Sequence, residues 1–92
     1  MLNKENKDKC WMLLSKYGCE AQMMMVIEEC SELSKAVCKI LRYPNNYDAD
    51  ANFREELIDV AVMLQQMFLM LHISNDEINE RAGKKMDKAL GV

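Results

Sequence analysis

The amino-acid sequence predicts an all-α protein of four helices, arranged as an antiparallel helical bundle that is completed by oligomerisation. One proline and three glycines among 92 residues leave few breaks. Apolar residues recur at helical spacing and almost never alternate with polar residues at the period of two that a half-buried strand requires. Residues 1–92 are expected to form a single domain, since a chain of this length cannot build two separate cores.

The first half of the chain predicts two helices and a loop. The first helix should run from about Lys4 to Lys16, because Gly18 suits a left-handed cap at its C-terminus. The second helix should follow at once, from about Glu20 to Arg42. The segment from Tyr43 to Asp50 contains the only proline and a cluster of Asn and Asp residues, so we expect a loop there, with the chain reversing direction.

The second half predicts two further helices. The third should run from about Asn52 to His72, and its later part is apolar nearly all the way round, as expected for an element buried on several sides. Its longest apolar stretch, from Val60 to Ile73, is interrupted by polar residues and is too short to span a membrane. Ser74 and Glu77 form a capping box that opens a fourth helix to about Leu90.

Half of the residues are hydrophobic and nine are methionine, a large apolar load for so short a chain. A single small core cannot cover that surface, so we expect a homo-oligomer, either a dimer or a dimer of dimers. The methionines are expected in the core or at the subunit interface, namely the run Met23-Met24-Met25 and the later Met63, Met67 and Met70. Pliable methionine side chains lining a base pocket are the alternative.

Charge and cysteine usage exclude several classes of function. A net charge of −3 argues against binding a nucleic-acid polymer through a broad basic surface, but it leaves free nucleotides open as ligands. The four cysteines lack the CxxC spacing of zinc sites. No signal-peptide pattern is visible, and the segment from Asn3 to Lys9 is strongly charged, so we expect reduced thiols and a cytoplasmic location.

Two helices each carry a group of acids at a spacing that places them on one face. Glu29 and Glu32 lie three residues apart on the second helix, with Glu28 beside them, and Glu56 and Asp59 repeat that spacing on the third. The intervening residues suffice to finish one helix, turn and return antiparallel. The two acidic groups can therefore face each other.

Carboxylates converging in a partly buried crevice repel one another unless a positive charge lies between them. Because all the candidate ligands are hard oxygens, the fitting ions are Mg²⁺, Mn²⁺ or Ca²⁺. Mg²⁺ accepts substrate phosphates as further ligands, which favours phosphate-ester or phosphoanhydride hydrolysis.

The competing interpretation is a solvated helix face with pairs such as Glu32 and Lys35. A di-iron bundle is disfavoured, since Leu69 stands where its Glu-x-x-His motif needs an acid before His72.

Three segments resemble the MazG-like branch of the all-α nucleoside triphosphate pyrophosphohydrolases, a superfamily that includes the dimeric dUTPases. They are Tyr17-Gly-Cys-Glu-Ala-Gln22, Ile27-Glu-Glu-Cys-Ser-Glu-Leu33 and Glu55-Glu-Leu-Ile-Asp-Val60. The signature EExxE followed by ExxD is present as Glu28-Glu29-x-x-Glu32 and Glu56-x-x-Asp59, and the similarity extends from about Tyr17 to Leu90.

The resemblance implies a Mg²⁺-dependent enzyme that hydrolyses nucleoside triphosphates to the monophosphate and pyrophosphate. It implies that magnesium, with Mn²⁺ as a substitute, is held by four residues: Glu29, Glu32, Glu56 and Asp59. Glu28 would be a further ligand or the catalytic base. The family's C-terminal Lys and Arg, three residues apart, correspond to Lys85 and Lys88, which would contact substrate phosphates. The lysine at position 88 lacks the two-pronged guanidinium of the family's arginine.

Two other classes of function stay open at this point. A non-catalytic helical interaction module could dock a basic peptide in an acidic crevice, and a regulatory protein could bind nucleotide without turning it over.

Overall fold

The computed structural model describes residues 1–92 and has four helices and no strand, which confirms the all-α class. The helices are α1 (Lys4–Tyr17), α2 (Cys19–Arg42), α3 (Tyr47–Met70) and α4 (Asn75–Leu90). No single helix is long and apolar enough to cross a membrane. Only α3 and α4 taken together, bent by 112° at their junction, reach the necessary length and composition.

The link between α2 and α3 is shorter than the sequence predicts. It spans residues 43–46, and α3 begins at Tyr47 instead of near Asn52. The Asn46 side chain accepts a hydrogen bond from the backbone N–H of Ala49 at 2.9 Å, and Asp48 lies in the first turn of the helix. The prediction of a loop to Asp50 was wrong because these polar residues, which also favour turns, here cap a helix and complement its dipole.

The ends of α1, α2 and α4 lie within one residue of the predicted positions. The Ser74 hydroxyl accepts a hydrogen bond from the N–H of Glu77 at 3.1 Å, which confirms the predicted cap of α4. Gly91 closes the helix in the left-handed region. Gly18 takes a positive φ of 89° but an extended ψ of 153°, so it separates α1 from α2 without forming the expected left-handed cap.

The end of α3 lies at Met70 and not at His72. His72 adopts a positive φ of 58°, and its N–H donates to the carbonyl of Leu69 while the N–H of Ile73 donates to the carbonyl of Phe68. This pair of bonds is the Schellman arrangement, which normally uses glycine or asparagine at the left-handed position. It turns the chain sharply before α4 begins.

The first three helices pack closely on one another, whereas the backbone of α4 does not approach any of them closely. α2 and α3 form the most extensive contact, and α1 lies against both. Only nine of the 92 residues are buried, so one chain leaves much of its apolar surface uncovered. The buried apolar residues are Cys10, Leu14, Ala36, Ala49, Val60 and Met63.

Three glutamines complete the buried set. Gln65 and Gln66 are 1% and 0% exposed, and Gln22 is 7% exposed. The Nε2 of Gln22 donates to Oε1 of Gln66 at 2.7 Å, joining α2 to α3. The backbone N–H of Leu2 donates to Oε1 of Gln65 at 2.8 Å, which ties the N-terminal segment to α3. Each of these hydrogen bonds supplies a buried amide with a polar partner, as burial demands.

Candidate functional site

The acidic residues of α2 and α3 converge where the two helices pack. We name Glu28, Glu29, Glu32, Glu56 and Asp59 the carboxylate cluster. Within it, Glu29, Glu32 and Glu56 each offer one oxygen, and these three oxygens lie within 4.8 Å of one another. The i, i+3 spacing on each helix turns the acids inward, and the four-residue link aligns the two helices so that the pairs meet.

Two oxygens of the cluster are buried without a hydrogen-bond partner. They are Oε2 of Glu29 and Oε2 of Glu56. A buried carboxylate oxygen that has lost its water and gained no donor is energetically costly. No lysine or arginine forms an ion pair with any residue of the cluster; the four ion pairs of the chain all join exposed residues four apart on one helix.

The electrostatics of the cluster follow from this crowding. Burial raises the pKa of Glu29 above its ordinary value, and the negative charges of Glu32 and Asp59 raise it further. Burial likewise raises the pKa of Glu56, followed by the charges of Glu32 and Asp59 and by a hydrogen bond that its protonated form shares with Glu32. Both shifts have the same physical origin, because a second negative charge is costly beside the first in a partly dehydrated site.

The donor set fits a hard divalent cation. All the candidate ligands are carboxylate oxygens, and the two orphaned oxygens lack the positive partner that such an ion would supply. Bonds from oxygen to Mg²⁺ and Ca²⁺ are about 2.1 and 2.4 Å long, so two oxygens on one ion lie at most about 4.2 and 4.8 Å apart, and the three glutamate oxygens lie near this upper limit. Small side-chain rotations would bring the three glutamates onto one ion.

A cavity of about 450 Å³ adjoins the cluster between α1, α2 and α3. Glu29 and Asp59 belong to both the cavity wall and the cluster, and the remaining wall is mostly apolar. The other lining residues are Leu13, Tyr17, Ala21, Gln22, Met25, Val62, Met63 and Gln66. The volume lies within the range of about 300–1,000 Å³ that small-molecule sites occupy.

The residues predicted from sequence are brought together only in part. Glu29, Glu32 and Glu56 are half-buried and converge, whereas Glu28 and Asp59 are exposed at the rim, near enough for their charges to raise the pKa of Glu29. Lys85 and Lys88 lie on α4, whose backbone does not approach α2 or α3 closely. Within one chain the structure therefore does not join the predicted phosphate-binding lysines to the carboxylate cluster.

The cavity wall contains residues to which the sequence analysis gave no role. Of the methionines considered from sequence, Met25 and Met63 line the cavity, whereas Met67 and Met70 do not, and Met23 and Met24 are at least half exposed. The buried Gln22–Gln66 pair was not foreseen. The one sequence feature that indicated such a pair was the presence of Gln65 and Gln66 inside an otherwise apolar stretch of α3.

Comparison with known proteins adds no family assignment: no protein-family model, no curated protein and no solved structure matches the chain. The fold and site alone define the molecule as an all-α protein with a carboxylate cluster at the end of an apolar cavity.

Proposed function

We propose that the protein is a Mg²⁺-dependent nucleoside triphosphate pyrophosphohydrolase that works as a homo-oligomer. The observation that carries the proposal is the pair of buried, unpartnered oxygens on Glu29 and Glu56 beside a cavity of suitable size. The orphaned oxygens favour a cation, and the cavity favours an organic ligand that reaches that cation. A nucleoside triphosphate combines an apolar, aromatic base with an anionic chain that binds Mg²⁺.

The carboxylates have distinct tasks in this proposal. Glu29, Glu32, Glu56 and Asp59 would hold Mg²⁺, which when bound neutralises charge on the phosphoryl oxygens and lowers the pKa of a coordinated water. Glu28 lies at the exposed rim, where its carboxylate can accept a proton from an attacking water or serve as a further ligand. Attack at the α-phosphate, with release of pyrophosphate, is the part of the proposal that rests on the resemblance to the MazG-like proteins.

The cavity would hold the nucleoside. Its apolar wall excludes water from the base, while Glu29 and Asp59, the two acids of the cavity wall, keep the cluster within reach of a phosphate chain. Gln22 donates a hydrogen bond to Gln66, so the pair fixes the shape of the wall where α2 meets α3.

A panel assay tests the activity. The protein is incubated with the common NTPs and dNTPs, with and without Mg²⁺, and pyrophosphate is measured; we expect release that depends on Mg²⁺. Glu32→Ala and Asp59→Ala should abolish it while helicity persists. Glu20→Gln on α2 and Asp48→Asn on α3 are matched controls, since these acids lie outside the cluster, and both should retain activity.

Three outcomes separate the proposal from its alternatives. Tight nucleotide binding without product would indicate a regulatory nucleotide-binding protein. Absence of both binding and turnover would favour an interaction module. Full activity of both Glu32→Ala and Asp59→Ala would refute the assignment of the cluster.

A further inference from the structure

The second half of α2 and the link after it carry only positive charge. Between Glu32 and Asp48 the sequence contains no acid, although the chain as a whole has a net charge of −3. The same stretch contains three cations, Lys35, Lys39 and Arg42, which we name the basic strip. Their spacings of four and three residues place them on one side of the helix, and all three are exposed. This side of α2 is therefore positively charged.

The basic strip has no acidic partner. Each ion pair of the chain joins a cation to the acid four residues before it, whereas the corresponding positions before the strip hold serine, lysine and cysteine. Glu32 and Asp48, the acids on either side of the strip in sequence, form no ion pair with it. The helix dipole favours Lys39 and Arg42 in the last turn of α2, but it does not reach Lys35, about two turns from the helix end.

The cations of the basic strip surround a concave space. A cavity of about 430 Å³ is lined by all three together with Ser34, Cys38 and Tyr43. Its wall is mostly polar, unlike that of the cavity beside the carboxylate cluster. Tyr43 is 52% exposed and continues into a neighbouring cavity of about 370 Å³ at the link. A polar cavity among uncompensated cations has the properties of a binding site for a small anion.

Charge and spacing indicate which anion fits. A phosphate group carries a charge of about −1.5 to −2 at neutral pH, so a single group leaves part of the strip's charge uncompensated. The strip extends over about 10 Å of the helix, at about 1.5 Å for each residue, and two linked phosphate groups can contact all three cations. Arg42 offers paired donors to two oxygens, and Lys35 and Lys39 act as point charges. A diphosphate therefore fits better than a single phosphate.

We propose that the basic strip binds a diphosphate group without a metal ion, either as free pyrophosphate or as part of a nucleoside diphosphate. The site is separate from the carboxylate cluster, because Lys39 and Arg42 lie about 10 and 15 Å beyond Glu32 along α2. The exposed ring of Tyr43 offers a surface on which a base can stack, so we expect the nucleoside diphosphate to bind more tightly. Binding at the strip does not depend on the proposed function.

A titration followed by NMR tests the site without reference to activity. Pyrophosphate and ADP are added separately to ¹⁵N-labelled protein in the presence of a chelator, and we expect saturable amide shifts concentrated in residues 33–47. Lys39→Gln and Arg42→Gln should each weaken binding by about tenfold or more, since each removes a charge-assisted hydrogen bond. Arg54→Gln is the matched control. It removes the same charge from an exposed cation that is paired with Asp50, and it should keep the affinity of the parent.

The thiol of Cys38 gives a second measurement, because it lines the same cavity and is exposed. A bound diphosphate should slow its reaction with iodoacetamide about tenfold at ten times the Kd, where about a tenth of the sites are free. Cys19 is also exposed but lies at the opposite end of α2, so its rate should not change. Arg42→Gln should remove the protection at the same ligand concentration.

The outcomes separate the two occupants and the two sites. Tighter binding of ADP, with the advantage lost in Tyr43→Leu, supports a nucleoside diphosphate, and equal or tighter binding of pyrophosphate supports the free ion. No saturable shift at millimolar ligand, equal weakening by Arg42→Gln and Arg54→Gln, a requirement for Mg²⁺, or loss of binding in Glu32→Ala would overturn the site. Binding at the strip in a protein that hydrolyses no nucleotide would keep this site and refute the proposed function.

Discussion

Gln22 and Gln66 form the one buried hydrogen bond between side chains of α2 and α3, at 2.7 Å from Nε2 to Oε1. Gln66 also donates weakly to the carbonyl of Val62 at 3.4 Å, on its own helix. The pair therefore fixes how the two acid-bearing helices meet, at a point where both side chains also line the cavity. Removing one partner should leave a buried amide without a hydrogen bond, whereas removing both should not.

A double-mutant cycle on this pair should show strong coupling. Gln22→Met or Gln66→Met alone leaves a buried amide without its partner, and we expect a loss of about 1–3 kcal/mol in the free energy of unfolding. Methionine is close to glutamine in shape, so the double variant should lose less than the sum of the two single variants. Urea unfolding at one fixed protein concentration measures all four species. Strictly additive losses would show that the hydrogen bond does not join the helices.

Neutralising an acid of the cluster should stabilise the metal-free protein. Asp59→Asn removes a charge that repels Glu29 and Glu56, and we expect the Tm to rise by about 2–5 °C. Asp48→Asn on the same helix should lower the Tm, because Asp48 lies at the N-terminus of α3 and interacts favourably with its dipole. A lower Tm for Asp59→Asn in the presence of a chelator would contradict the repulsion.

The stability of the metal-free protein should depend on pH with a defined sign. The pKa values of Glu29 and Glu56 are raised in the folded state, so folding favours their protonated forms. Their contribution is fully present below the unfolded value of about 4.3 and is lost as the pH rises through the folded values. A Glu29→Gln, Glu56→Gln double variant should therefore exceed the parent in Tm most strongly at neutral pH.

Calorimetry in the presence of a chelator, from about pH 7 down to about pH 4.5, gives the difference in Tm between variant and parent. We expect that difference to shrink steadily as the solution becomes more acidic. A difference that stays constant over this range would show that neither carboxyl has a shifted pKa.

Divalent ions should stabilise the folded protein by mass action. An ion that binds the folded chain only adds about 2.7 kcal/mol at a concentration one hundred times its Kd. We expect Mg²⁺ and Mn²⁺ to raise the Tm of the parent and to have little effect on Glu32→Ala. NaCl at the same ionic strength is the control, because it screens the repulsion without coordinating the glutamates. An equal rise in Tm with NaCl would show that the divalent ions act by screening alone.

The four thiols should differ in reactivity. Cys10 is 2% exposed, and burial raises its pKa, whereas Cys19, Cys30 and Cys38 are exposed. The thiolate is the nucleophile, so Cys10 should be the last of the four to react with iodoacetamide. Peptide mapping after timed quenching measures the order, and in urea all four should react at similar rates. Early modification of Cys10 would show that α1 opens readily from α2 and α3.

The helices were predictable from local chemistry. The errors fall where one residue type favours two different local structures. Ser74 and Gly91 mark the ends of α4 by hydrogen bonds and backbone conformation that involve only neighbouring residues. Asn46 and Asp48 misled the prediction, since the same side chains favour turns and helix starts. His72 could not be identified as the left-handed residue at the end of α3, because glycine or asparagine is the usual signal.

Helical periodicity was sufficient to predict the acidic part of the site. Acids three apart on two neighbouring helices had to share a face, and a short link then brought the faces together. The cavity and the Gln22–Gln66 bond were not predictable, since they depend on how α1 crosses the other two helices and on a contact between residues 44 positions apart. The direction of α4 was equally hidden, because no local pattern specifies its 112° bend from α3.

The four-residue link between α2 and α3 also bears on how the molecule assembles. The largest internal contact joins two helices that are adjacent in sequence, and closing so short a connection costs little chain entropy. Contacts between sequence neighbours favour fast folding. The hairpin that brings the glutamates together can therefore form before either terminal helix has docked, so the repulsion among them opposes folding from its earliest stage.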